Sequence, residues 1–158
     1  MAISILEECP EFRLGHSGSV YVTVWFSELN DKALDSLAKH HQALVTKYGK
    51  ITLVSVIVSA TTAPGSELRE RLRAQSVELA QHRHGNVIVV LARGMSAIIA
   101  RTFLAMLSLI SSENMKVPAS LEAAADEVRQ IVGQDAMTVA NASLGDDLVA
   151  FAALPRPK

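Results

Sequence analysis

The stretch ITLVSVIVSATTAPGSELRERLR, residues 51–73, decides the fold class of this chain. Most of its first ten residues are β-branched or otherwise apolar, which is typical of a strand covered on both faces of a sheet. Pro64 and Gly65 end this run, and Ser66 is expected to be the N-cap of the helix that follows. A buried strand that leads directly into a helix predicts an α/β fold with parallel strands.

The residues before this stretch predict an antiparallel hairpin and a first helix. Phe12 and Leu14 alternate with polar residues up to the turn sequence HSGS, and the segment VYVTVWF, residues 20–26, alternates again. Two alternating segments joined by a glycine-containing turn are typical of a β-hairpin. Apolar residues at helical spacing then run from Asn30 to Gly49, which favours one helix between a polar start and a glycine stop.

The residues after the stretch continue the alternation of strands and helices. Gly85 is expected to end the helix, and NVIVVLA, residues 86–92, is predicted to be a second buried strand. An apolar helix over residues 95–110, a short strand at MKV and a helix capped by Ser120 complete the pattern. The predicted order is β-β-α-β-α-β-α-β-α: a mixed sheet of about five strands with an antiparallel first hairpin, covered by helices.

Length and composition fit one globular domain with a short extension. The chain has 158 residues, of which 49% are hydrophobic and 20% charged, so it can bury a core of its own. We expect residues 1–133 to form the domain and residues 134–158 to form a C-terminal extension. Within that extension, SLGDDLVAFAAL predicts a short helix capped by Ser143.

Charge and hydropathy exclude several partners. A formal net charge of −1, without a basic stripe, argues against nucleic acid. The N-terminal segment lacks the basic region of a signal peptide. The most apolar stretch, residues 95–110, contains Arg101 and is shorter than the ~20 residues that span a bilayer. We therefore expect a cytoplasmic protein with no transmembrane segment.

No residue pattern points to catalysis, a cofactor or a metal. The glycine-rich nucleotide motifs and the G-x-S-x-G elbow are missing from the sequence, so we predict no catalytic residues and no cofactor. His82 and His84 are two apart on a predicted helix and point to different sides, so we predict no metal site. Cys9, the only cysteine, lies among glutamates that raise the pKa of its thiol. Titratable groups of displaced pKa converging in a pocket would favour an enzyme instead.

Three segments carry a resemblance to a known family: GSVYVTVWF, ARTFLAMLSLI and KVPASLEAAADEV. Together with the element order over roughly residues 11–132, they resemble the STAS domain, the fold of the bacterial anti-sigma-factor antagonists, and more narrowly the STAS-like proteins of bacterial genomes. The resemblance implies a non-enzymatic bacterial signalling module that works through protein contacts. It also implies a protein partner, such as an anti-sigma factor or a kinase.

The resemblance also implies candidate phosphorylation sites. In the phosphorylatable members a strand ends in Asp-Ser-Ser-Gly, and a serine at the start of the next helix is phosphorylated. The corresponding segment here is SATTAPGS, which has no aspartate before the hydroxyl residues and has Ala-Pro-Gly between them and the helix. The candidates are Ser66, Thr62, Thr61 and Ser59. A second interpretation stays open: Ser66 caps the helix, while Thr61 and Thr62 satisfy backbone groups in a turn.

The helix predicted over residues 95–110 is apolar on nearly its whole circumference, with Arg101 as its one charge. A helix of this kind is buried on all sides, so a second surface must cover it. The tail at residues 144–154, a second copy of the chain or an apolar ligand could do so. We predict a homodimer with Ala97, Ala100, Arg101 and Leu104 at or near the contact. The alternative function is a module that binds a small apolar ligand or lipid beside this helix.

Overall fold

The computed structural model describes residues 3–60, 62–108, 114–132 and 143–158, with the side chains of residues 106–108 outside the description. These residues form a six-stranded mixed sheet and five helices, so the predicted α/β class with an antiparallel first hairpin is confirmed. The strands are β1 (Ser4–Glu8), β2 (Phe12–Ser17), β3 (Val20–Trp25), β4 (Ile51–Ile57), β5 (Arg83–Val90) and β6 (Met115–Lys116). The helices are α1 (Asp31–Tyr48), α2 (Ser66–Ala80), α3 (Met95–Ser108), α4 (Leu121–Val132) and α5 (Leu144–Ala153).

The sheet has one strand more than the sequence predicted. Strand β1 pairs antiparallel with β2 at the edge of the sheet. Its sequence SILEE does not read as a strand because it carries two glutamates. An edge strand tolerates such charges, and both glutamates have partners here. Glu8 accepts a hydrogen bond from Arg13 at 2.9 Å, and Glu7 lies 2.8 Å from His40 Nε2.

The strand order explains how the helices are distributed over the two faces. The order is β1-β2-β3-β4-β5-β6, antiparallel up to β3 and parallel from β3 to β6. Each of the three connections between β3 and β6 leads to the neighbouring strand on the same side, so the sheet grows in one direction. Right-handed connections then place α1, α2 and α3 on one face, called the α1 face below. Helices α4 and α5 pack on the opposite face, the α4 face, over a core of strand valines.

Three helix ends agree with the sequence. The Asn30 side chain accepts a hydrogen bond from the Ala33 backbone N–H at 2.8 Å, as an N-cap of α1 does. Gly49 ends that helix with a φ of 80°, a conformation that favours glycine. Ser120 accepts a hydrogen bond from the Ala123 N–H at 3.1 Å and so caps α4.

Both predicted ends of α2 are wrong. The N-cap is Gly65, whose carbonyl accepts a hydrogen bond from the Arg69 N–H at 2.9 Å, and Ser66 is the first helical residue. Gly65 has the extended backbone of an N-cap, so the helix starts one residue earlier than expected. At its other end α2 stops at Ala80, and Arg83, expected in the helix, enters β5 opposite Ile51.

The predicted C-terminal helix is present as α5, which packs against α4 and the sheet. Leu144, Leu148 and Phe151 are buried, as the sequence predicted. The approach of Phe151 to β2 requires a glycine there, because a Cβ on Gly15 would lie 2.7 Å from the Phe151 ring. The Arg13 guanidinium closes the helix end, donating to the carbonyls of Phe151, Leu154 and Pro155 at 3.2, 3.3 and 2.5 Å.

No helix in the described part of the chain combines the length and the apolar character needed to cross a membrane.

Candidate ligand-binding cavity

A cavity of about 150 Å³ lies on the α1 face, between β4 and β5 on one side and α1, α2 and α3 on the other. Most of its lining is apolar. The larger apolar residues around it are Trp25, Leu29, Leu37, Leu53, Ile57, Leu72, Ile88, Ile99, Phe103 and Leu104. Partly enclosed apolar cavities with a few polar groups are the usual form of small-molecule sites.

The floor follows from the alternation of side chains along the strands. Leu53, Ser55 and Ile57 of β4 face the cavity, whereas the valines between them pack into the core of the α4 face. Ile88 of β5 faces the cavity for the same reason. The floor is therefore formed by two neighbouring parallel strands that are paired on both sides within the sheet.

Helix α2 forms a roof with few core contacts of its own. Leu79 is the one buried residue of its 15, and Leu72 and Ser76 are half-buried and line the cavity. A helix that packs tightly on a sheet buries a continuous stripe of side chains. The space that such a stripe would fill is the cavity.

Polar contacts hold α2 against α1. The Arg71 guanidinium forms ion pairs with Asp31 and Asp35 near the start of α1. The Gln75 side-chain amide donates to the Leu34 carbonyl at 3.0 Å. The ion pairs are exposed and so contribute little to stability, but they fix the side of the cavity on which α2 lies.

The side of α3 that carries the alanines packs inside the subunit, and this changes the contact predicted between subunits. Ala97, Ala100 and Leu104 are buried within the chain, and Ala100 and Leu104 line the cavity. Arg101 is exposed. The exposed apolar residues of the described part of α3 include Met95 and Ile98, at 70% and 59% exposure. Three of the four predicted interface residues thus lie inside the subunit, because small side chains let α3 approach β5 closely.

The segment SATTAPGS contributes to the lining of the cavity. Ser59, Thr62 and Pro64 line it, and Thr61 lies outside the described residues. Ser96 of α3 holds the loop in place, since its hydroxyl accepts from the Ala60 N–H at 2.7 Å and donates to the Ala60 carbonyl at 2.8 Å.

Ser66, the last residue of this segment and the first of α2, is exposed. It is not the N-cap that the sequence predicted, because Gly65 occupies that position.

A buried polar group lies at the start of β5. Arg83 lines the cavity, and its Nε donates to His41 Nε2 at 3.1 Å. Burial, the charge of Arg83 and the nearby His82 lower the pKa of His41 to about 3, so this imidazole is neutral at pH 7 and accepts through Nε2. The sequence placed His41 on the apolar face of α1, and there it is fully buried.

Asn86 supplies an acceptor that has no partner in the protein. Its side chain lines the cavity and is only 9% exposed. Among the described residues no group donates a hydrogen bond to Asn86 Oδ1, although the Asn86 backbone N–H is bonded to the Asn114 carbonyl at 3.0 Å. A buried acceptor left unpaired costs about 1–3 kcal/mol, so an atom of this kind marks a place where another molecule can donate.

The sequence did not reveal Arg83 and Asn86 as site residues. Residues up to Gly85 were expected to finish α2, whereas β5 begins at Arg83. One signal was present: Asn86 is a polar residue directly before an apolar strand core. The side chains of a strand can point to a site on either face. Arg83 lies opposite Ile51 and Asn86 opposite Leu53, with a register shift between the two pairs, and this register places both side chains on the face of the cavity.

Tyr21 and Cys9, two titratable groups whose pKa values are shifted from the usual ones, do not line the cavity. The hydroxyl of Tyr21 donates to the Leu37 carbonyl at 3.3 Å, and burial raises the pKa of Tyr21 well above its usual value. Burial and the Glu11 side chain raise the pKa of Cys9, in the direction predicted.

In residues 3–60, 62–108, 114–132 and 143–158, no group of three His, Cys, Asp or Glu side chains is placed to hold a metal ion.

Comparison of the chain with protein-family models, with curated proteins and with solved structures finds no match.

Proposed function

We propose that this chain is a non-catalytic binding module that holds a small, largely apolar molecule in the cavity between α2, α3 and the sheet. The observation that carries the proposal is the cavity itself: about 150 Å³ of mostly apolar space under a helix that buries one residue. Cavities of this size in other proteins hold a benzene-sized molecule. The ligand is therefore of about the size of one ring or a short branched chain.

The tryptophan at the cavity provides a test. Trp25 is the only tryptophan of the chain and lines the cavity, so its fluorescence should change when the cavity is filled. Titration with toluene and with phenol should give a saturable change in the wild-type protein for at least one of the two. Ser76→Leu, which places a larger apolar side chain in the cavity, should abolish that change.

Ala74→Leu is the matched control, because Ala74 is exposed on the same helix two residues away. It should bind as the wild type does. If no ring compound changes the fluorescence, or if both leucine variants reduce binding equally, the proposal is wrong.

A second proposal concerns signalling, which the resemblance to STAS domains implies. We propose that the protein works in the bacterial cytoplasm and that a partner, such as an anti-sigma factor or a kinase, contacts the loop before α2. Ser66 supports this, because it is exposed at the helix start and does not serve as the N-cap. A phosphate there would lie at the positive end of the helix. Incubation with candidate kinases should phosphorylate the wild type and leave Ser66→Ala unmodified; phosphate on both proteins, or on neither, would contradict the proposal.

We also keep the homodimer as a proposal, with its contact moved on α3. Met95 and Ile98 are apolar and exposed, whereas Ala97, Ala100 and Leu104 are buried inside the subunit. Arg101, exposed near Ile98, would lie at the rim of such a contact.

A further inference from the structure

We infer that the molecule bound in the cavity carries a hydrogen-bond donor, a hydroxyl or an N–H, that pairs with Asn86 Oδ1. This inference rests on the proposed function and names the chemical class of the ligand: a ring-sized apolar body with a donor at one end. Two independent observations meet at this residue. Asn86 lines the apolar cavity, and its Oδ1 is a buried acceptor to which no described protein group donates.

The position of Asn86 fixes the orientation of the ligand. Asn86 lies on the floor, on the same strand as Ile88 and beside the Leu53 and Ser55 positions of β4. The side chains of Ile99 and Phe103 line the cavity from α3. The donor end therefore lies on the sheet, and the apolar body lies against the helices.

Other polar groups at the cavity do not replace this partner. The Ser55 hydroxyl accepts a hydrogen bond from Thr23 at 3.0 Å and belongs to a pair within the sheet. Arg83 has donors only, so it favours an acceptor on the ligand. The hydroxyls of Ser27, Ser59, Thr62 and Ser76 can donate or accept, so they favour neither class of ligand. The Glu28 carboxylate also accepts, but it is exposed, whereas Asn86 Oδ1 is buried and favours a ligand with a donor.

A water molecule at Asn86 would not remove this preference. A ligand hydroxyl that displaces such a water reproduces its hydrogen bond, whereas a methyl group in the same place does not. Toluene and phenol differ in this one group and have the same number of heavy atoms. The pair therefore isolates the contribution of the donor.

The experiment measures the dissociation constants of phenol, toluene and benzaldehyde for the wild-type protein by Trp25 fluorescence. We expect phenol to bind roughly tenfold more tightly than toluene, the effect of one buried hydrogen bond. Benzaldehyde, which accepts but cannot donate, should bind no better than toluene. Asn86→Leu should reverse the order, so that toluene binds more tightly than phenol, while Asn86→Asp keeps the acceptor and the preference for phenol.

Each other outcome has a defined meaning. Tighter binding of toluene or of benzaldehyde than of phenol by the wild type would overturn the inference and leave the cavity as a binding site. This comparison needs no variant, so it holds even where Asn86→Leu does not fold. Binding of none of the three compounds would contradict the proposed function itself.

Discussion

At the scale of single residues, two side chains that the sequence placed at helix starts have different roles. Asn30 accepts the Ala33 N–H at 2.8 Å, while Ser66 makes no cap contact and is exposed. Asn30→Ala should therefore lower the free energy of unfolding by about 1 kcal/mol. Ser66→Ala should change it by less than about 0.5 kcal/mol. Urea denaturation of both variants measures the difference; equal losses would mean that Ser66 does cap α2.

The buried His41 should make stability depend on pH. Its pKa is lowered to about 3 in the folded chain, against about 6.5 when unfolded. Below pH 6.5 the unfolded chain therefore takes up a proton that the folded chain does not, and stability falls until the pH reaches about 3. From pH 6.5 to 5 the loss from this residue is about 2 kcal/mol, at about 1.4 kcal/mol per unit.

His41→Gln provides the control for this effect, because glutamine keeps an acceptor for Arg83 and does not titrate. The pH dependence of the unfolding free energy between pH 6.5 and 5 should be weaker in His41→Gln by that amount. The other four histidines are common to both proteins. The same slope in both proteins would show that His41 is protonated in the folded state.

At the scale of secondary structure elements, local signals predicted those elements that begin and end with strong caps. Helix α1, between Asn30 and Gly49, is of this kind. Helix α5 was predicted instead by its apolar spacing, since Leu148 and Phe151 are buried although Ser143 makes no cap hydrogen bond. Strand β1 and the start of β5 were not predicted, because they depend on tertiary partners that no local pattern indicates. The glutamates of β1 are tied to Arg13 and His40, and Arg83 enters β5 by pairing with Ile51.

Arg13 should hold α5 on the sheet. It is 2% exposed and donates to Glu8 and to three carbonyls at the end of α5. A lysine has a single ammonium group and cannot reach all of these acceptors. In Arg13→Lys the opening free energy of α5, measured by hydrogen exchange, should fall by about 2 kcal/mol. Arg156→Lys, an exposed residue that donates to Pro10, is the control and should leave exchange unchanged; similar effects of the two variants would contradict the role of Arg13.

At the scale of the whole molecule, one side of α3 lines the cavity, and the opposite side is apolar and exposed. If the chain forms the proposed dimer, Ile98→Glu should give a monomer, because a carboxylate in an apolar contact costs several kcal/mol unless it is paired. Leu104→Glu, on the inner side, should destabilise the fold instead. Light scattering after gel filtration measures the first effect and thermal unfolding the second. A monomeric wild type would contradict the dimer.

The site was less predictable from the sequence than the fold. The apolar circumference of residues 95–110 predicted that something must cover this helix, and a cavity lies beside its residues Ile99 and Phe103. The polar floor was not predictable, because Arg83 and Asn86 reach the cavity only through the register of β5 on β4.

Chemical-shift mapping with phenol tests the central claim, a ligand between α2, α3 and the sheet, most directly. The methyl groups of Leu72, Ile88 and Leu104 line the cavity, whereas those of Val128 and Leu148 lie in the core of the opposite face. We expect saturable shifts of the first group, no shifts of the second, and loss of the shifts in Ser76→Leu. Shifts centred on the opposite face, or no saturable shift at the cavity methyls, would contradict the claim.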